Sequence, residues 1–338
     1  MSTSSPIVSV VIPWKNREEL LLETVNSLRG QSVTDWEAIL VHDLPLSPGN
    51  ALRDLADADS RINLYQRGRV PEGAAACRNI GVEISRGDYI VFLDSDDLLA
   101  PSCLEQRVNL IEKNPDLDFA VFLSEVFHQI PGDIGRLWNR FTDEDDLDRF
   151  LRRDLPWQTM GPIWRHESLA RLGNWNEKAL TSQEWELSIR ALAAGFRYKK
   201  TNQVDSYWRE SQQGTITSAW QQPRRIINRM RLYRDVAQLL KTKGLLSRRR
   251  KLLMTHDYYL HAFVMTRGWR RSLLIWKSGW RAGAIPTAHY WILMSGEILR
   301  RASQAINRFL HSRLLPPAMF PNTLRTLPSP ERSTPERL

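Results

Sequence analysis

Tyr89-Ile90-Val91-Phe92-Leu93-Asp94-Ser95-Asp96-Asp97 joins an uncharged run of β-branched, aromatic and aliphatic residues to three carboxylates within four positions. The run has the composition of a strand buried on both faces. Carboxylates clustered at a strand's carboxyl end repel one another unless a cation, or a ligand carrying one, sits between them. Open α/β sheets bind ligands at those ends. The pattern therefore predicts a site for Mg²⁺ or Mn²⁺ and the phosphates it accompanies. The competing reading is an acidic turn in which Asp97 caps a helix that follows through Pro101.

Further runs of the same kind lie on both sides. Val8 to Pro13 is a short apolar run rich in Val and Ile, Trp36 to Val41 and Ile62 to Gln66 read as a second and third strand, and Phe119 to Leu123 as a further buried one. Between them lie helical patterns. Asn16 with Glu19 three residues on forms a capping-box arrangement, predicting a helix from Arg17 to Arg29 that stops at Gly30, with Leu21, Val25 and Leu28 inward. Gly73-Ala74-Ala75-Ala76-Cys77 supplies small residues that let a second helix pack close to a sheet, with Cys77 as a packed hydrophobe. Thr181 or Ser182 caps a helix through Ala194, ended by Gly195, with Glu186 and Arg190 paired on its outer face. The acidic run Asp143 to Asp146 is expected to be a solvated face or a helix start, with no catalytic role.

The 338 residues allow one large domain or two smaller ones, and 42% hydrophobic content supports a core. The only cysteines are Cys77 and Cys103, which makes a disulfide framework unlikely and fits a reducing cytoplasm. No signal peptide is evident. The longest uncharged stretch, 282–296, is broken by Pro286 and His289 and falls short of the roughly 18 residues that span a bilayer.

Charge is unevenly distributed. Residues 1–220 carry 24 Lys/Arg and 33 Asp/Glu, a net −9; residues 221–313 carry 20 and 3, a net +17. The basic half alternates Arg224-Arg225, Arg248-Arg249-Arg250-Lys251 and Arg270-Arg271 with Tyr258-Tyr259, Trp269, Trp276, Trp280 and Trp291. Basic helices with indoles at the apolar boundary suit the headgroup layer of an anionic membrane, on which the protein would sit peripherally from the cytoplasm. A helical appendage packed on the first domain is the second reading, and a nucleic-acid surface, which we do not expect, the third. Residues 314–338, with six prolines, are expected to be disordered.

Four stretches in order, VSVVIPWKNREE, EAILVHD, GAAACRNIGVEISRGDYIVFLDSDD and SQEWELSIRALAAG, make the chain from Ile7 to about Trp208 resemble the family 2 glycosyltransferases. The resemblance implies a GT-A fold, a Rossmann-like and mostly parallel central sheet with helices on both faces. Residues 1–220 would be the catalytic domain and 221–313 a helical extension.

It also implies roles. Pro13, Lys15, Asp43, Arg78, Asp94 and Ser95 would contact the nucleotide-diphosphate sugar, and Asp94 and Asp96 would hold the metal. Lys15 stands where the family commonly has an aromatic residue that stacks on the base; Trp14 can take that role, or Lys15 can meet a phosphate or simply face solvent. Asp43 falls where a carboxylate accepts from the base, and Arg78 where an arginine reaches the nucleotide or orients Asp94. Glu184 falls at the position of the general base, one methylene longer than the usual aspartate. Its competing reading is an ordinary carboxylate favoured by the helix dipole. Tyr207-Trp208-Arg209 resembles a stretch usually followed by a diphosphate-binding histidine; here Glu210-Ser211-Gln212-Gln213 follows, so that Arg209 or a later basic residue covers the role, or no residue does.

The acceptor, a glycan or lipid-linked sugar in cell-surface polysaccharide synthesis, would lie against Trp157, Trp164 and Trp185, whose alternative is core packing. Two rival functions stay open: a sugar nucleotidyltransferase, which would normally bring a glycine-rich loop after the first strand, and a non-catalytic nucleotide-sugar or glycan binder.

Overall fold

A computed structural model of the protein describes residues 6–44, 48–210, 222–259, 262–263 and 269–313. The tail 314–338 and the segment after Glu210, on which two of the expectations fall, lie outside the described residues.

Strands β1 (Val8–Trp14), β2 (Trp36–His42), β3 (Ile62–Gln66) and β4 (Tyr89–Phe92) pair in parallel in the order β3-β2-β1-β4. β1 and β2 are buried along their whole length, and the carboxylate within β2, Glu37, is held by Ser9 and Arg86 at 2.7 Å. Helices α1 (Glu18–Arg29), α2 (Asn50–Ala58) and α3 (Ala74–Ile84) make the crossovers. α1 turns Leu21, Val25 and Leu28 inward. α3 lies so close to β1 that a Cβ on Gly81 would sit 2.3 Å from Val11 Cγ1, which is why this helix is built of small residues.

Beyond β4 the sheet becomes mixed. After β5 (Leu98–Leu99) and α4 (Cys103–Glu112) come β6 (Phe119–Phe127), β7 (Arg136–Leu137), α5 (Asp146–Leu151), β8 (Pro162–Arg165), α6 (His166–Leu172), α7 (Gln183–Ala193) and β9 (Tyr198–Arg209). β8 pairs antiparallel with β4 and β6, β9 runs parallel to β6, and β5 closes the far edge against β9. A fully buried ion pair fastens this half: Arg107 of α4 makes two 2.7 Å bonds to Asp205 of β9 and a third to the Met160 carbonyl.

The basic half supplies α8 (Pro223–Thr242), α9 (Arg248–Tyr259) and α10 (Trp269–Arg281), which belong to the same compact unit as the sheet. α11 (Thr287–Arg313) forms a unit of its own. Tyr233 of α8 stacks on Trp185 of α7 at 4.6 Å, Tyr258 packs against Tyr233, and Trp276 is wholly buried. Tyr258 and Trp276, expected at a membrane boundary, are thus core residues of the helical layer. Arg249 and Arg250 reach Asp148, at 3.1 and 2.7 Å. The acidic run is a helix start, since Asp145 accepts the Asp148 backbone N–H, and it also receives part of the basic half. No helix among the described residues is long and apolar enough to cross a membrane.

Two local expectations are corrected. The Asn16/Glu19 capping box does not form: Arg17 is the residue before α1, in the left-handed region at φ 62°, with its side chain directed to Asp96. The Glu186–Arg190 pair forms at 2.8 Å, but Glu186 is buried. Arg190 also donates to the Leu172 and Asn174 carbonyls, so the pair clamps the loop after α6 instead of facing solvent.

Candidate active site

In the order β3-β2-β1-β4 the chain leaves β1 toward one side and returns at β4 on the other. The carboxyl ends of β1 and β4 therefore flank the switch point where open α/β sheets form a ligand crevice. Lys15 and Arg17 follow β1 and Asp94 to Asp97 follow β4.

The three aspartates have different environments. Asp97 is buried and accepts the Arg209 backbone N–H at 2.8 Å, which ties the acidic turn to the end of β9. Burial, then the charges of Asp96 and Asp94, push its carboxyl well above the usual range. Asp94 and Asp96 are partly exposed. Arg78 Nη2 donates to Asp94 Oδ1 at 2.6 Å, and Arg17 Nη1 to Asp96 Oδ2 at 3.3 Å. Burial and the neighbouring Asp94 charge raise the Asp96 pKa. The pair therefore repels internally, as the sequence pattern implies.

Arg78 joins two elements. Its Nη1 donates to Gln183 Oε1 at 2.8 Å, its guanidinium lies 4.5 Å from the Trp175 ring, and its buried Nε has no partner among the described residues. The acidic turn is thereby linked to the first turn of α7, where Glu184 follows Gln183 and is partly exposed. Ser182, which precedes α7, sits at φ 56° and accepts from Arg153 Nη1 at 3.2 Å. Left-handed conformations in non-glycine residues persist where the surroundings fix them.

The base end is more enclosed than the sequence implied. Trp14 is buried and stacks on His42 at 3.8 Å, so it offers no face to a base. Pro13 is enclosed within β1. Asp43 is engaged by Arg67 Nε at 2.7 Å, the Gly73 N–H at 2.8 Å and Lys15 Nζ at 3.4 Å. Burial pushes its carboxyl up, but these donors outweigh it and hold the pKa below the ordinary value. Lys15 is half exposed, and Ser95 is partly exposed between the two carboxylates. Cys77 is fully buried, its thiol pushed up to about 12, as suits a packed residue.

The acceptor wall is corrected. Trp157, Trp164 and Trp185 are 1, 1 and 0% exposed. Trp157 Nε1 donates to Ser188 Oγ and Trp185 Nε1 to the Phe150 carbonyl, while Trp164 stacks on Phe119. Their ring faces are used by the core. Arg209 likewise turns inward, donating to the Asp96 carbonyl at 2.8 Å and to Glu23 at 2.6 Å. Three residues escaped the sequence reading: Arg17, concealed by the capping pattern; Gln183, adjacent to Glu184 yet unremarkable; and Trp175, whose place under Arg78 only the fold creates.

Among the described residues no three His, Cys, Asp or Glu side chains converge to cage a metal. Two partly exposed carboxylates that repel each other nevertheless fit a hard divalent cation, which Mg²⁺ sites of this kind complete with phosphate oxygens and water.

Residues 9–166 match the family model described as Glycosyl transferase family 2. The chain is 36% identical over 110 residues to an uncharacterized glycosyltransferase of Haemophilus influenzae, covering 32% of this chain and 44% of that protein. It is 33% identical over 108 residues to the Escherichia coli UDP-Glc:alpha-D-GlcNAc-diphosphoundecaprenol beta-1,3-glucosyltransferase WfgD, covering 32% and 42%. The chain thus spans less than half the length of these relatives. Among solved structures, TarS 1-349 of S. aureus with UDP-GlcNAc superposes with a TM-score of 0.62 at 15% identity, over 82% of this chain and 81% of that one. The mannosyltransferase PcManGT of Pyrobaculum calidifontis with GDP-Man and Mn²⁺ gives 0.52 at 17%, over 88% and 81%. The fold is the GT-A fold, with α8, α9 and α10 in the same compact unit.

Proposed function

We propose, from the match of residues 9–166 to the model described as Glycosyl transferase family 2, that the protein is an inverting glycosyltransferase. It takes a nucleotide-diphosphate sugar as donor and the hydroxyl of a glycan or lipid-linked sugar as acceptor. The observation that carries this reading is the Arg78 bridge, which connects the donor end of the crevice at Asp94 with Gln183 in the first turn of α7, the residue before Glu184.

Glu184 accepts the proton of the acceptor hydroxyl. The acceptor oxygen bonds to the anomeric carbon as the bond from that carbon to the phosphate oxygen breaks, and the nucleoside diphosphate leaves with the electron pair. Displacement from the opposite face inverts the configuration. Asp94 and Asp96 would hold a Mg²⁺ or Mn²⁺ ion, which supplies electrophilic stabilisation of the departing diphosphate. Arg78 fixes Asp94, Arg17 neutralises Asp96, and Lys15 lies free enough of the strand end to meet a phosphate. Asp43, held by Arg67 and Gly73, keeps its charge for a donor N–H of the base.

The setting we propose is the membrane surface of a polysaccharide pathway. The relative named for a diphosphoundecaprenol-linked acceptor supports it, as does the basic half of the chain. The test is turnover of a panel of nucleotide sugars, with and without Mn²⁺, by the protein and by Glu184→Gln. Release of nucleoside diphosphate that depends on Glu184 supports transfer; donor binding without release under any acceptor supports a non-catalytic binder.

A further inference from the structure

α8 and α10 pack side by side and leave between them a groove of about 480 Å³, lined by Arg234, Asp235, Gln238, Leu274, Lys277 and Arg281 among others. Arg234, Gln238 and Lys241 follow one another at helical spacing on α8, and so do Leu274, Lys277 and Arg281 on α10. Lys241 continues the stripe into a second groove of about 200 Å³, where Lys251 also lies. These grooves contain none of the residues at the strand ends.

Five cations thus line two adjoining concavities against a single carboxylate, Asp235, which is held by Arg234 at 2.9 Å. Among the described residues Lys241, Lys251, Lys277 and Arg281 make no ion pair, whereas Arg249 and Arg250 of the same basic half are matched by Asp148. Cations gathered without counter-charge repel one another and attract an anion. Leu274 identifies the kind of anion. It lies in the same lining, one turn from Lys277 and Ser278, and is 69% exposed. An inorganic phosphate would leave this side chain in water, while a lipid offers a phosphate to the cations and hydrocarbon to the leucine.

We infer that the α8–α10 groove seats the phosphate headgroup of an anionic membrane lipid. The inference rests on the membrane-surface reading above and not on the transfer chemistry. Co-sedimentation with phosphatidylcholine vesicles, with and without phosphatidylglycerol, tests it on the full chain and on the Lys277→Ala/Arg281→Ala, Leu274→Ser and Lys199→Ala variants. Circular dichroism and donor binding on the same proteins report folding and the catalytic crevice separately.

The expected result is pelleting that requires phosphatidylglycerol. The double variant should lower the partition coefficient about thirtyfold, from about 1 kcal/mol per cation. Leu274→Ser should lower it less, and Lys199→Ala, an exposed cation of β9, should leave it unchanged. Equal pelleting on pure phosphatidylcholine, or a double variant that binds like the parent, overturns the inference. So does tight binding of inorganic pyrophosphate that Lys277→Ala/Arg281→Ala removes, with no pelleting on either vesicle.

Discussion

Arg78 of α3 donates to Asp94, just beyond β4, at 2.6 Å, and the same guanidinium holds Gln183 at 2.8 Å. One planar group with several fixed donors can span the two; an ammonium cannot. Arg78→Lys keeps the charge and loses the span. Steady-state kinetics should show kcat/KM lowered about 10²-fold, the scale of a small misplacement in an active site. The melting temperature should fall as well, because the buried guanidinium also loses Gln183 and the Trp175 face, so the kinetics are read on protein that circular dichroism shows folded. Unchanged kinetics would remove the bridge from the account.

Glu184 stands one residue beyond that bridge. As the general base it should contribute about 10²–10⁴-fold to the rate. Glu184→Gln is therefore expected to lower kcat by that factor while donor affinity, read by calorimetry, stays the same. A loss of donor affinity with kcat preserved would assign Glu184 to binding.

Trp185 separates packing from recognition. It is fully buried, bonded to the Phe150 carbonyl and stacked on Tyr233. Trp185→Ala should cost about 3–5 kcal/mol in urea unfolding, the usual range for a buried aromatic. A variant of undiminished stability whose acceptor KM rises would restore the tryptophan to the acceptor site.

The same residue shows what could be read from the sequence. The strands were legible because runs such as Val8 to Pro13 and Tyr89 to Leu93 are uncharged and rich in β-branched and aliphatic residues, a property local to each run. The acidic turn was legible because three carboxylates in four positions have few structural explanations. Trp157, Trp164 and Trp185 were not, since an indole lining a sugar site and an indole in a core have the same sequence. What decides is which helices cover them, and α8 is covered by no motif. Arg17 was obscured by a local capping pattern that a contact with Asp96, 79 residues away, overrides. Arg249 and Arg250 resembled a membrane face because their counter-charge at Asp148 lies about a hundred residues upstream.

Asp43 gives the pH dependence. Its carboxyl is held below its ordinary value in the folded protein. Its contribution to stability is therefore fully present above the unfolded carboxylate pKa, roughly 3.9, and is lost as pH falls through the lower folded value. Melting temperatures of the protein and of Asp43→Asn should differ above pH 5 and converge in strong acid. A difference that persists there would mean that the charge of Asp43 is not what stabilises the loop at Arg67 and Gly73.

The central claim is that Asp94 and Asp96 grip the donor diphosphate through a divalent cation at the switch point of the sheet. Calorimetric titration of nucleoside diphosphates into the protein, with and without Mn²⁺, and into Asp96→Asn tests it most directly. The account predicts binding of one of them that strengthens with Mn²⁺ and loses that gain in the variant. Binding indifferent to both the ion and the substitution would contradict it.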